Sequence, residues 1–219
     1  MGQTIGLCRL SAVYGVVLNF RAEWNRWESR MRSEPYRRPP VAPILYLKPK
    51  NTWIANGDPI PLPSGVERVK VSGTLGVVFG RAACRVSAND ALAYVDGYTI
   101  VHDVSIPHDS YYRPALRERC RDGFCAIGPA VANRDAIPDP NRVEVGVSVN
   151  GEVRASVNTA ELVRSVERLI ADVTEFLTLG PGEILLVGEL PDAPLVHAGD
   201  RVQTEITGLA SLENPVVGP

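Results

Sequence analysis

Residues Val143–Val149 alternate apolar and polar side chains and run straight into Asn150-Gly151, after which Glu152–Val157 reads as a return strand. A period of two buries one face of a strand. Asn-Gly tolerates the positive φ angles of the tight turns whose twist matches that of paired strands. The segment therefore commits this part of the chain to an antiparallel hairpin, and so to a sheet that needs something packed against one face.

Other stretches extend the pattern. Val13–Asn19 is a short β-branched run that reads as a buried strand, and Ile44–Lys48 as another ending in LKPKNT. Asp58–Pro63 (DPIPLP) is too rich in proline for a central strand and reads as an edge or loop. Glu67–Ser87 suggests two strands with a bend near Gly73. Ile184–Gly188, Arg201–Ile206 and Leu212–Val217 are the expected closing strands.

Helical signals are fewer. Ala22–Arg32 places Trp24, Trp27 and Met31 on one face, which either packs on the body or forms a mobile lid. Ser87 and Asp90 predict a helix start before ALAYV, with Gly97 ending it. Thr159 can cap a helix over Ala160–Leu177, where Leu162, Val166, Leu169, Val173 and Phe176 form a stripe that Gly180-Pro181-Gly182 stops. The expectation is an α+β fold, mainly β, in a single domain over residues 1–219. Residues 1–50 supply an N-terminal strand, a lid-like helix and a connector, and residues 51–219 the core.

Composition excludes several function classes. The formal charge of −2 and the lack of a long basic block speak against a nucleic-acid face. No run approaches the roughly 18 apolar residues that span a bilayer. The N-terminus has no basic leader, so the expected location is the cytoplasm. Cys8, Cys84, Cys120 and Cys125 include no CxxC and read as reduced thiols. GxGxxG, the Walker loop and GxSxG are absent, which removes the main support for classical kinase and hydrolase readings.

The densest chemistry lies in Gly97–Pro129, GYTIVHDVSIPHDSYYRPALRERCRDGFCAIGP. Tyr98 and Ile100 suggest a strand delivering His102-Asp103 at its end. A polar loop follows, and then a short helix with Pro114 in its first turn. Functional groups collect on loops held by strand ends, which makes this segment the candidate site.

Small motifs in a fixed order carry a resemblance. They are LN at Leu18-Asn19, LKPKNT at Leu47–Thr52, GYTIVHDVS at Gly97–Ser105, RDGFCAIGP at Arg121–Pro129, VNG at Val149–Gly151, LGPGEILLVG at Leu179–Gly188 and AGDRVQTEITGLASLENPV at Ala198–Val216. This order resembles the fumarylacetoacetate hydrolase family. YYRPALRERCRDGFC and LENPVV are similar to the first of two duplicated halves found in its isomerase/decarboxylases of homoprotocatechuate (4-hydroxyphenylacetate) breakdown, where the halves are fused or separate subunits.

The resemblance implies a mixed β-roll core. It also implies action on small open-chain dicarboxylic 2-oxo or 2-hydroxydienoic acids, and a homo-oligomer or a hetero-oligomer with a paralogous metal-bearing subunit. It further implies Mg²⁺ or Mn²⁺ held by an E-x-E pair and an Asp. Here the E-x-E positions are Ser72 and Thr74, and only Asp103 matches the third ligand. One carboxylate neutralises a dication poorly, so weak or absent metal binding is expected. The family's site lysine is Arg119, its late TGTP motif is Val187–Leu190, and Glu23 and Arg26 stand at the lid's His and Glu positions.

The residues that survive predict catalytic roles for Asp103, Arg119 and Lys48, and substrate binding by Arg113, Tyr98, Asp122 and Thr159. Bland readings stand beside each: a turn for Asp103, a buried ion-pair network for Arg113, Arg119 and Asp122, a helix cap for Thr159, and a solvated or dimer position for Lys48. Glu23, His108, Asp109 and Glu189 read as surface charges. Three functions compete: a pathway enzyme subunit with a metal-bearing partner, a non-catalytic or dicarboxylate-binding member, and a metal-free tautomerase-like enzyme using Asp103 or Glu23 as base.

Overall fold

Two long strands cross the middle of the molecule, β6 (Val69–Phe79) and β7 (Val95–Ser105), paired antiparallel along nearly their whole length. A computed structural model describes residues 3–4 and 10–219; Cys8 and the start of the N-terminal stretch lie outside the described residues. In chain order the remaining strands are β1 (Gln3–Thr4), β2 (Val13–Val17), β3 (Ile44–Leu47), β4 (Trp53–Ile54) and β5 (Ile60–Pro61), followed after β7 by β8 (Cys125–Ile127) and β9 (Ala130–Asn133). Then come β10 (Glu144–Val149), β11 (Glu152–Asn158), β12 (Ile184–Leu186), β13 (Leu195–Val196), β14 (Arg201–Ile206) and β15 (Leu212–Val217). The helices are α1 (Arg21–Met31), α2 (Leu116–Arg119) and α3 (Val166–Thr174). The fold is α+β and mainly β.

One sheet has ten strands along the path β1-β9-β7-β6-β12-β2-β3, with β13 on β6, β8 on β7 and β4 on β8. The other has five, ordered β11-β10-β14-β15-β5. The Asn150-Gly151 hairpin joins β10 and β11, with φ of 54° and 83° at the two turn residues.

A run buried on both faces needs no alternation. All of β6 except Lys70 is buried. This explains why the bend expected at Gly73 is not there: the strand runs through unbroken. A Cβ at Gly73 would lie 2.5 Å from Thr204 Oγ1 and 2.8 Å from Val147 Cγ2, so the glycine lets the second sheet approach. Gly97, expected to end a helix, is likewise inside β7 and opposite Asn133, where a Cβ would lie 2.0 Å from the Ala132 carbonyl oxygen. The helix before it shrinks to a 3₁₀ turn over Ala91–Tyr94.

The expected long helix is also shorter. Thr159 starts a 3₁₀ turn and its hydroxyl accepts from Val143 N (2.9 Å), tying it to the head of β10 rather than capping a helix. The true cap of α3 is Ser165, whose Oγ accepts from Arg168 N. Val166, Leu169 and Val173 are buried as the stripe predicts, whereas Phe176, beyond the helix end, is exposed.

His102 and Asp103 show what the period of two does at the site. Adjacent residues of a strand point to opposite faces. His102 enters the space between the sheets, its Nδ1 3.1 Å from Asn214 Oδ1 and its Nε2 2.9 Å from Thr204 Oγ1. Asp103 turns to the other face.

Candidate active site

Asp103 lies near the end of β7 and is buried, and the register sets it directly opposite Ser72 on β6. The chain therefore brings together the strand positions that the resemblance implied, with different chemistry on them. Tyr46, on β3, donates its hydroxyl to Asp103 Oδ2. Arg119, at the end of α2, places Nη1 3.4 Å from the same oxygen and its guanidinium carbon 4.4 Å from the centre of the Tyr46 ring. Burial first, and then the Asp103 charge, push the Tyr46 hydroxyl well above its ordinary pKa, so it stays a donor.

Lys48 follows β3 and is completely buried. Its Nζ lies 2.6 Å from Asp103 Oδ1 and donates to the carbonyls of Val104 (2.7 Å), Arg119 (3.1 Å) and Phe124 (3.0 Å). An ammonium has three protons and the carbonyls take all three. Its hold on Asp103 Oδ1 is thus one of charge rather than a directed hydrogen bond.

Glu189, expected at the surface, is buried, and its Oε1 lies 2.8 Å from Arg119 Nη1. Burial works to raise its pKa, but Arg119 and then Lys70 (Nζ 3.5 Å from Oε2) outweigh it and hold the carboxyl below the usual range. Arg119 Nη1 therefore sits between two carboxylates. The residues on β6 that stand where carboxylates were implied are what fix Glu189 in place. Ser72 Oγ accepts from Leu190 N (2.6 Å) and Thr74 Oγ1 donates to Gly188 O (2.8 Å), clamping the backbone on either side of it.

His108 is the second correction. It is half-buried, with Nδ1 3.1 Å from the Ser110 carbonyl and Nε2 3.2 Å from Arg119 Nη2. A carbonyl can only accept and a guanidinium can only donate, so Nδ1 carries the proton and Nε2 is the acceptor. Burial, and then the Arg119 charge, lower its pKa and keep the ring neutral near pH 7.

Tyr46, His108 and Arg119 form one wall of a cavity of about 340 Å³. Its other walls are largely apolar, from Ile44, Leu45, Leu47, Tyr111 and Leu116, with Arg113 exposed at the rim. Helix α1 covers the neighbouring face. Trp27 and Met31 are buried against the body, and the Trp27 ring meets Tyr111 edge-on at 4.6 Å. Glu23 faces Trp27 Nε1 (2.9 Å) and Arg26 (3.2 Å).

The remaining residues singled out from sequence lie elsewhere. Tyr98 is on the opposite face of β7 in the main core, its hydroxyl pushed up to about 12 by burial. Asp122 is exposed and accepts from Asn51 Nδ2 (2.8 Å), beside Pro61 and Pro63. Thr159 is buried at the head of β10. Asp109 is exposed. Cys84, Cys120 and Cys125 are free thiols.

The fumarylacetoacetate hydrolase C-terminal family model matches residues 12–217. The chain belongs to the fumarylacetoacetate hydrolase family. An Escherichia coli 4-hydroxyphenylacetate degradation bifunctional isomerase/decarboxylase is 38% identical over 205 residues, which are 94% of this chain and 47% of that protein. The chain spans about half the length of the curated relatives it matches first. The crystal structure of 5-carboxymethyl-2-hydroxymuconate delta-isomerase from Mycobacterium smegmatis superposes with a TM-score of 0.82 at 31% identity, over 96% of this chain and 80% of that one. Maleylpyruvate hydrolase from Sphingobium, solved with manganese(II) and pyruvate, shares the fold at 24% identity and a TM-score of 0.79, over 96% of this chain and 71% of that one.

The family's divalent ion does not fit the donor set of this member. The Ser72 and Thr74 hydroxyls are spent on the backbone around Glu189. Both Asp103 oxygens face cations or a hydroxyl donor, and Lys48 and Arg119 already balance Asp103 and Glu189 charge for charge. Among the described residues, no three His, Cys, Asp or Glu side chains converge as a metal site.

Proposed function

We propose that the chain is one half of an isomerase/decarboxylase of 4-hydroxyphenylacetate (homoprotocatechuate) breakdown, paired with a paralogous half that carries the divalent ion. The observation that carries this reading is the mismatch of coverage: 94% of this chain aligns with only 47% of the isomerase/decarboxylase relative. The substrates would be 5-carboxymethyl-2-oxohex-3-ene-1,7-dioate and its 2-hydroxyhepta-2,4-diene-1,7-dioate product. Loss of CO₂ from a 2-oxo acid builds enolate charge that a dication stabilises well. That step belongs to the paralogous half, because the donors that would hold the ion here are already engaged.

This half contributes the cavity beside Arg119. Of its two arginines, Arg119 is neutralised by Asp103 and Glu189, so the exposed Arg113 is the group free to take a substrate carboxylate. Arginine suits this as a two-pronged donor. The test is co-expression with a paralogous half, size-exclusion of the product, and decarboxylation and isomerisation rates of each half and of the pair. Co-elution with a rate above that of either half supports the proposal. Separate elution together with full activity of the paralogue alone refutes it.

A further inference from the structure

We propose that a groove on the far face of β7, floored by Tyr98 and edged by Arg134, binds a small monocarboxylate with an apolar body. Asp103 stands five positions further along the same strand, roughly 17 Å at the usual rise per residue, and points to the opposite side. The groove is therefore separate from the cavity beside Arg119, and its use depends on no paralogous half.

Tyr98 gives the first reason. Its ring is packed in the main core and the residue is 2% exposed, yet among the described residues its hydroxyl has no hydrogen-bond partner. A buried tyrosine hydroxyl usually finds one. The polar atoms sealed inside the protein without a partner are Asp103 Oδ1, Ser105 Oγ and Glu189 Oε1, so the Tyr98 hydroxyl is open, and it opens onto this groove. Burial pushes its pKa up to about 12, which keeps it a donor at neutral pH.

Arg134 is the second. It begins the 3₁₀ turn Arg134–Ala136, which Asn133 caps by accepting from Asp135 N (3.0 Å) and which closes where Ile137 N donates to the Arg134 carbonyl (3.1 Å). The backbone is thus fixed at the edge of the groove. Among the described residues the guanidinium has one ion-pair contact, Nε to Asp135 Oδ1 at 3.8 Å, too long for a hydrogen bond, and the Asp135 side chain is 88% exposed. The Arg134 charge acts on the Tyr98 hydroxyl, as do those of Glu167 and Asp139. Both acids are engaged elsewhere and neither lines the groove: Glu167 takes Asn141 Nδ2 on its two oxygens (3.0 and 2.9 Å), and Asp139 meets Arg142 at 3.3 Å.

The walls are the third. Leu92 and Ala93 come from the turn before β7 and Ile137 and Pro138 from the loop facing it, around a space of about 460 Å³. Two donors, one of them a cation, set over apolar walls select a carboxylate on an apolar body.

The test uses phenylacetate as the probe and the full chain carrying Arg113→Met, so that the rim of the other cavity cannot take the carboxylate. Titration calorimetry should show saturable binding, with a dissociation constant of about 1 mM or lower for a ligand of this size. Adding Tyr98→Phe should weaken it about five-fold, the share of one hydrogen bond, and adding Arg134→Met at least about ten-fold. Phenylacetamide, with the same shape and no charge, should bind more weakly than phenylacetate. Tyr98→Phe should melt no lower than its parent, because the hydroxyl has no protein partner to lose. The proposal is overturned if phenylacetate shows no saturable binding up to about 10 mM. It is equally overturned if Tyr98→Phe and Arg134→Met both bind as the parent does, or if Tyr98→Phe lowers the melting temperature.

Discussion

Replacing Arg119 with methionine keeps most of its length and apolar stem and removes one charge from between two buried carboxylates. Arg119 Nη1 is 2.8 Å from Glu189 and 3.4 Å from Asp103, and all three side chains are buried. Removing one partner of a buried pair typically costs about 3–5 kcal/mol, because the other is left charged without compensation. The two acids are not equally exposed to that loss. Asp103 keeps Lys48 at 2.6 Å and the Tyr46 hydroxyl, whereas Glu189 keeps only Lys70 at 3.5 Å. Most of the cost should therefore fall on Glu189, with about 1 kcal/mol more from the lost stacking of Arg119 on Tyr46.

That assignment has a pH signature. In the wild type, Arg119 and Lys70 overcome burial and hold the Glu189 carboxyl low. Its contribution is complete above the ordinary carboxylate range and is lost progressively as pH falls from that range toward the lowered native value. In Arg119→Met burial dominates, the native carboxyl binds a proton more readily than the unfolded one, and the variant recovers relative to wild type on acidification. Urea unfolding at about pH 7.5 and about pH 5 should show a loss of roughly 4 kcal/mol at the first pH and a clearly smaller one at the second. Adding Glu189→Gln to Arg119→Met should return part of the loss at neutral pH. A loss under about 1 kcal/mol, or one equal at both pH values, would refute the account of Glu189 as a buried acid neutralised by Arg119.

Three further outcomes follow from single features. Burial lowers the His102 pKa to about 4 from 6.5, so stability should be complete above about pH 6.5 and decline by roughly 3 kcal/mol as pH falls toward 4; His102→Asn should flatten that part of the urea-midpoint profile. Gly97→Ala would put a Cβ 2.0 Å from the Ala132 carbonyl oxygen, and the backbone shift needed should cost at least about 2 kcal/mol, read as a lowered melting temperature. Neither EDTA nor millimolar Mn²⁺ should move the wild-type melting temperature, since a site saturated at about 100 Kd would add about 2.7 kcal/mol and a shift of that size would be easily seen.

What could be read from the sequence divides by whether the signal is local. The hairpin at Asn150-Gly151, the buried face of α1 and the closing strands rest on periodicities of a few residues, and the structure has them where those periodicities put them. Gly73 and Gly97 read from sequence as a bend and a stop because a glycine in an apolar run looks like either. Here each is required by a neighbour distant in the chain, Thr204 for one and the Ala132 carbonyl for the other. The site shows the same division. Asp103, Arg119 and Lys48 stand out together in the sequence, and Lys48 and Arg119 both lie within ion-pair distance of Asp103. Tyr98 could have been set aside by parity alone, because it stands five positions before Asp103 on a continuous strand and must face the other way. His108 and Glu189 read from sequence as surface charges because no residue near them in the chain demands otherwise. Yet Glu189 carried a cue, since it is the one acid within the otherwise apolar run Ile184–Leu190. A carboxylate there either breaks the core or brings a buried cation with it, and Arg119 is that cation. The same reasoning explains how the buried centre balances its charges with Ser72 and Thr74, rather than acids, on β6. Ser72 and Thr74 clamp the loop that supplies Glu189, and Arg119 holds the charge between the two carboxylates.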